Sequence, residues 1–406
     1  MIAGITIRQM IKDSQKRNLL NKGSEEIEKN PDVAETIIKE AIKYIPEEKI
    51  AWFNLGIALH QQRKIRSAIK AYRKAIELSK EPFDDAINNL GQDLLLAGEW
   101  KEGFEIYEER LRRSQKMSQQ YNKLYGERWR GEKDTRICEK LIIVAEQGYG
   151  DTLQFCRFVQ DLKDKGYSTT LFCQEELKHL LRESNSIGEV TSSIASSSKN
   201  MRWCPLMSLP HMLAIEEKRK LKRKRYININ GKDVEKWKKI LKRKTGHKLV
   251  AIHWQGNPNF EKKLYTKERS MKFKLLNNLA EIDNVEYISI QKGYGSEQLE
   301  QNNKLKMVEG QKEFDQTYNF MDTGAVLKNC DLLISADSSV VHLAGAIGTK
   351  VWLALNYVPE WRWGLENEKT EWYEDMKLYR QNRRGNWEDV IQTMKEDLKR
   401  LVDNHS

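Results

Sequence analysis

The chain has 406 residues, of which 39% are hydrophobic and 32% charged, with a formal net charge of +11. That length implies two or three domains, and 11 Trp, 15 Tyr and 10 Phe exclude a disordered chain. The positive balance suits phosphorylated ligands or an anionic membrane face. With no zinc-type spacing and no aromatic–basic RNA motif, no specific nucleic-acid partner is expected.

Five cysteines (Cys138, Cys156, Cys173, Cys204 and Cys330) form no C-x-x-C pair. An odd count, with several beside apolar runs, points to free thiols in a reducing compartment. The N-terminal residues lack a signal-peptide core, and no run of about 18 apolar residues offers a membrane span. The expectation is a cytoplasmic protein, with peripheral contact to an anionic inner membrane face left open. The basic run Lys218–Arg225 carries seven basic residues in eight and reads first as a solvated linker or helix face.

The first part of the chain repeats. Ala34, Ile38 and Ala41 return 34 residues later as Ala68, Tyr72 and Ala75, and 35 residues further as Gly103, Tyr107 and Arg110. Trp52, Leu55, Gly56 and Leu59 align with Ile87, Leu90, Gly91 and Leu94. Small residues let paired helices approach, and larger ones fill the space between pairs. The period resembles the tetratricopeptide repeat. About three units are expected over 15–118, the first degenerate because Asn18, Asn21 and Lys22 stand where the pattern wants Trp, Leu and Gly. Such arrays bind proteins or peptides.

A second part, 119–245, opens near Lys140 with an apolar strand, a Gly-containing turn and a helix from about Thr152. Ser168–Cys173 is a second strand, and Ser184–Ser198 reads as irregular. The third part, 246–385, starts again with a strand at Lys248–Trp254 and a long polar loop over Gln255–Arg269. A helix over Met271–Ile282, a strand over Val285–Gln291 and a helix over Asp322–Asn329 follow. CDLLISADSSVVHLAGAIGTKVWLAL (330–355) then reads strand, polar turn, small-residue helix, strand. A closing helix over Trp387–Val402 occupies 386–406. The fold expected is α plus α/β: a helical repeat array, then two Rossmann-like halves facing a cleft.

Three turns carry candidate chemistry. Gly148-Tyr149-Gly150-Asp151 follows the first strand. Its aspartate is either an ordinary helix cap or a general base. Asp337, Ser338, Ser339 and His342 flank a helix start whose free N–H groups suit a phosphate, though an N-cap alone would read the same way. The loop after Lys248–Trp254 holds Gln255, Asn257, Lys262, Lys263, Lys267 and Arg269. Its cations, with Lys292 at the next strand end, could neutralise a diphosphate or lie in solvent. Trp352, Trp361, Trp363 and Trp372 read as packing residues.

The segments AEQGYGDTLQF, HWQGNP with RS, SIQKG and DLLISADSSVVHLAGAIGTKVWLAL, in that order, resemble the glycosyltransferase-B domain that follows tetratricopeptide repeats in bacteria. That domain is similar to the heptosyltransferase family, glycosyltransferase family 9. The layout also resembles the O-linked N-acetylglucosamine transferases in architecture. The resemblance implies a GT-B fold with the acceptor on the 119–245 half and a nucleotide-sugar donor on the 246–385 half. It implies Asp151 as base toward the acceptor, and donor binding by Asp337, Ser338 and His342. It places a phosphate contact at Lys267 or Arg269. Ser339 stands where the family carries glycine.

The function implied is inverting, metal-independent sugar transfer from a nucleotide-diphosphate sugar, a co-substrate, with no cofactor and with the repeats recruiting an acceptor or partner protein. The alternative is a non-catalytic repeat scaffold with a degenerate nucleotide-binding domain.

Overall fold

The computed structural model describes residues 15, 17–113, 115–131, 140–184, 187–193, 200–215, 221 and 225–403. Cys138 and most of the basic run 218–225 lie outside them. The chain divides into two compact units, one of residues 1–116 with Glu360–Leu365, the other of 117–359 with 366–406.

The first unit is built of antiparallel helices. They are α1 (17–26), α2 (Pro31–Tyr44), α3 (Lys49–Gln61), α4 (Ile65–Glu77), α5 (Asp84–Leu96), α6 (Trp100–Tyr107) and the short α7 (Arg110–Arg113). Small residues sit where helices touch. A Cβ on Gly56 would lie 2.4 Å from the Tyr72 ring, and one on Gly23 would lie 2.6 Å from Ile38. Gly23, not residue 22, is therefore the close-packed glycine of the first pair. With that one-residue offset Lys22, which is exposed, stands at the position of Leu55, so only part of the pattern returns. A buried pair, His60 Nδ1 to Asp93 Oδ1 at 2.7 Å, joins α3 to α5.

Glu360–Leu365, which the sequence places in the second α/β half, packs in this unit instead. Trp361 meets Phe104 edge-on at 5.7 Å, and Arg63 donates to the Leu365 carbonyl at 2.6 Å.

The second unit holds two parallel sheets. It opens with α8 (Gln115–Tyr125), whose first residues precede it. The first sheet has β1 (Lys140–Val144), β2 (Thr169–Phe172), β3 (Glu189–Thr191) and β4 (Met201–Pro205), in the order β3-β2-β1-β4. Between them lie α9 (Tyr149–Phe155), α10 (Arg157–Asp164) and α11 (Glu175–Glu183), with a short α12 (Leu209–Met212) after β4. β3 falls inside the stretch expected to be irregular, and β4 forms the sheet edge.

The second sheet has β5 (Lys248–His253), β6 (Val285–Ser289), β7 (Leu332–Ala336), β8 (Val351–Leu355) and β9 (Met376–Arg380), ordered β6-β5-β7-β8-β9. Its helices are α13 (Gly231–Ile240), α14 (Glu297–Asn302), α15 (Gln311–Asp315), α16 (Phe320–Asn329), α17 (Ser339–Ile347) and α18 (Glu388–Asp403). The segment expected as a helix over 271–282 is a 3-10 helix, Phe273–Glu281. β6, β7 and β8 are buried along their whole length, as strands covered on both faces must be. α18 adds Val390, Ile391, Met394, Leu398 and Val402 to the same core, a helical spacing that gives it one apolar face.

In both sheets the strand order reverses beside the first strand. From β1 the chain steps one way to β2 and the other to β4, and from β5 one way to β6 and the other to β7. Helices cross in opposite directions there and leave a crevice at the strand C-termini, where open parallel sheets bind ligands.

Candidate functional site

At the first crevice β1 ends and Gly148 caps α9. The Asp151 carboxylate, three residues inside the cap, accepts the Gly148 N–H at 3.0 Å, so one of its oxygens ties down its own helix start. Gly150 is a glycine for a steric reason. A Cβ there would lie 2.9 Å from His342 Cδ2 and 3.4 Å from Ser339 Cα. Gly148 has no such constraint: its φ is −71°, and a Cβ would meet only Asp151 Oδ2, at 3.5 Å.

At the second crevice, β7 delivers Ser335 and then Asp337 and Ser338, all buried. Ser338 caps α17 in an extended conformation, so the first N–H groups of that helix open onto the strand ends. Tight packing of α9 on α17 thus sets Gly150, the neighbour of Asp151 in the chain, against the helix start carrying Ser338, Ser339 and His342.

His253 ends β5 directly beside Ser335 in the strand register. Its Nδ1 lies 3.4 Å from Ser335 Oγ and 3.3 Å from Ser338 Oγ. Ser335 gives its own proton to the Ala336 carbonyl at 2.6 Å, so toward His253 it acts as acceptor. Burial, then the Arg269 charge, pushes His253 down to about 3. It is a neutral imidazole beside a permanent cation. Sequence reasoning passed over His253 as a site residue. The signal was there, as a histidine closing an apolar strand at a switch point.

Arg269 comes from the polar loop. Glu268 takes a left-handed φ of 59° and is gripped at two points by Arg384, both at 2.9 Å. This turn lays the Arg269 guanidinium against Gly256, where a Cβ would meet Nη2 at 3.2 Å. Its Nε is buried with no hydrogen-bond partner among the described residues. The nearest carboxylate oxygen, on Glu261, is 4.0 Å away. An arginine so placed keeps a donor in reserve for an anionic group. Lys262 and Lys263 are exposed, and the Lys267 carbonyl accepts from Asn356 at 2.9 Å.

Other expected contacts are committed to the loops. Gln255 accepts from Gln298 at 2.9 Å and packs on Gly295. Asn257 makes a local turn by accepting the Asn259 N–H at 3.0 Å. Lys292, expected to face the cleft, donates to the Phe314 carbonyl at 2.6 Å and lies 4.0 Å from that ring's centroid. Burial lowers its pKa. These side chains shape the strand-end loops, and Gln291 ties β5 to β6 through the Trp254 and Gln255 N–H groups.

Among the described residues no cluster of three His, Cys, Asp or Glu could hold a metal ion, and no helix is long and apolar enough to cross a membrane. Cys156, Cys173, Cys204 and Cys330 are free thiols. Burial pushes Cys156 and Cys173 up to about 12, which makes them inert at neutral pH.

Residues 50–82 match the tetratricopeptide repeat family. The chain is 24% identical over 390 residues to Protein FlbA of Caulobacter vibrioides, covering 89% of this chain and 63% of that protein. It therefore spans less than two thirds of that relative's length. Among solved structures it is similar to the glycosyl transferase family 9 protein of Veillonella parvula DSM 2008, with 12% identity, TM-score 0.46, and coverage of 67% of this chain and 98% of that one. It is also similar to the E. coli ADP-heptose LPS heptosyltransferase II, with 9% identity, TM-score 0.46, and coverage of 65% and 99%. An O-GlcNAc transferase mutant from Thermobaculum terrenum matches with 10% identity, TM-score 0.30, and coverage of 97% and 94%. A tetratricopeptide repeat thus precedes the α/β region with its two parallel sheets.

Proposed function

We propose that the α/β unit transfers a sugar from a nucleotide-diphosphate sugar to an acceptor hydroxyl, and that the repeats recruit the acceptor or a partner protein. The observation that carries this reading is the meeting of Gly150 with Ser339 and His342, where two switch-point helix starts converge beside Arg269. A donor diphosphate would sit on the α17 N–H groups with Arg269 as counter-charge. Asp151 would take the proton of the acceptor hydroxyl while the acceptor oxygen bonds to the anomeric carbon. The bond to the diphosphate breaks on the opposite face, and the diphosphate leaves with the electron pair. Configuration at the anomeric carbon is inverted. The reading includes no metal.

A panel of nucleotide-diphosphate sugars tests it, first by thermal shift and then by nucleotide release with a cell-extract acceptor, with and without EDTA. A ligand at about 100 times its dissociation constant should stabilise by about 2.7 kcal/mol. Product NMR then reads the anomeric configuration. A protein that no nucleotide or nucleotide sugar stabilises is not a donor-dependent transferase. EDTA-sensitive turnover would overturn the metal-free step alone.

A second reading, a repeat scaffold with a nucleotide-binding but inactive domain, is favoured by the capping bond that occupies one Asp151 oxygen. It predicts ligand stabilisation without nucleotide release.

A further inference from the structure

His342 turns one edge to Gly150, and its other edge enters a buried polar network. Its Nδ1 lies 2.9 Å from Tyr373 Oη. Tyr373 Oη is 3.4 Å from Tyr226 Oη. Tyr226 donates to the Leu153 carbonyl at 3.0 Å and accepts an N–H from Arg157 at 2.9 Å. Arg157, almost fully buried, also donates to the Gln154 and Trp372 carbonyls at 3.0 and 2.9 Å. Its guanidinium stands 4.4 Å from the Tyr226 ring centroid and 5.0 Å from that of Tyr373. The α17 backbone presses on the Tyr373 ring at Gly345, where a Cβ would come within 2.4 Å.

Proton counting orients this chain. Burial raises both phenols above their ordinary range, so each keeps its single proton. A carbonyl can only accept, so the Tyr226 proton points to Leu153. The Tyr226 oxygen already receives the Arg157 N–H. Tyr373 thus has a well-placed acceptor in His342 Nδ1 at 2.9 Å and a poor one in Tyr226 at 3.4 Å.

We infer that Tyr373 is a positioning residue that holds His342, in its neutral form, as the Nε2–H tautomer. The ring edge facing Gly150 is then a hydrogen-bond donor suited to an anionic oxygen. This rests on the donor-diphosphate reading for its purpose: His342 donates to the departing phosphate oxygens, and the base role falls to Asp151 alone.

Long-range 1H–15N correlation spectra of the full chain, labelled at histidine, read the tautomer directly. They are recorded above the pH at which the His342 signals, assigned with His342→Gln, stop changing. Wild type should show an unprotonated Nδ1 and a protonated Nε2. Tyr373→Phe should show a mixture of tautomers, and turnover of whichever donor the panel identifies should fall about tenfold in kcat with KM little changed. Tyr226→Phe removes the weaker acceptor and should leave the tautomer unchanged. A protonated Nδ1 in wild type overturns the inference, as does an unaltered tautomer in folded Tyr373→Phe. Should that variant fail to fold, the wild-type spectrum decides alone. If no donor is turned over, the transferase reading fails while the spectra still decide the tautomer.

Discussion

Gly150 and His342 touch across the two switch points, leaving room for no Cβ: one would stand 2.9 Å from the imidazole. His342 cannot simply withdraw, because its other edge is held by Tyr373 at 2.9 Å. Gly150→Ala should therefore push the ring off its position or part the two helix starts. Overpacking of this kind costs about 1–3 kcal/mol. The expected outcome is a modest fall in melting temperature and at least a roughly tenfold loss of affinity for the nucleotide that most stabilises wild type. Titration calorimetry checks it, and unchanged affinity would show that the contact is packing alone.

Asp151 has two candidate duties, and substitution separates them. Asp151→Asn keeps an amide oxygen that can accept the Gly148 N–H, so the fold should survive. A lost general base lowers the rate by about 10²–10⁴-fold. Single-turnover transfer with saturating donor reads this, and a variant at full rate leaves Asp151 as a cap only.

Both switch-point turns were legible because parallel core strands appear as apolar runs, and KLIIV, KLVAIH, LLISA and VWLAL each give way to polar residues within two positions of their ends. The strands that escaped notice are β3, β4 and β9. Glu189–Thr191 is three residues long, and MRWCP and MKLYR carry charges or proline in keeping with sheet edges. The site was only half legible. Arg157 sits between Phe155 and Phe158 in an otherwise apolar helix start, a warning of a buried cation, but its partner Tyr226 lies 69 residues on, and Tyr373 a further 147 beyond Tyr226. No local pattern predicts such meetings. Lys292 misled for the same reason: its strand-end position was right, while the Phe314 carbonyl that takes its proton comes from another helix.

Gly56 tests the packing logic of the repeats. The Tyr72 ring occupies the space beside it, 2.4 Å from where a Cβ would stand, and both residues are buried. Gly56→Ala would gain helix propensity but must displace a ring enclosed on all sides. Overpacking of about 1–3 kcal/mol should outweigh the roughly 1 kcal/mol gained over glycine. Gly98, where nothing lies within 4 Å but φ is +84°, is the control for backbone strain without crowding. Urea unfolding followed by circular dichroism should show a lower midpoint for Gly56→Ala at unchanged slope.

Arg269 and His253 form a test in which charge and burial act together. Arg269→Met removes the guanidinium beside Gly256 and its reserve donor. Loss of a charged hydrogen bond of about 1.5–3 kcal/mol predicts a roughly 10- to 150-fold weaker diphosphate donor. The same change removes the second cause of the His253 shift, so its titration should move upward.

His253 itself sets an acid limb of stability. Its folded pKa is about 3 against 6.5 for the free side chain, first through burial and then through Arg269. Between those values the unfolded chain binds a proton that the native state refuses. Stability from this group is therefore complete above about pH 6.5 and is lost as pH falls toward 3. The amount is on the order of 2–4 kcal/mol. His253→Asn cannot titrate, so its unfolding free energy should drop less than wild type between pH 7 and pH 4. Denaturant titrations at the two pH values read the difference. Equal drops in both proteins would mean that His253 is charged or exposed in the native state, and with it would go the neutral floor beneath Ser338.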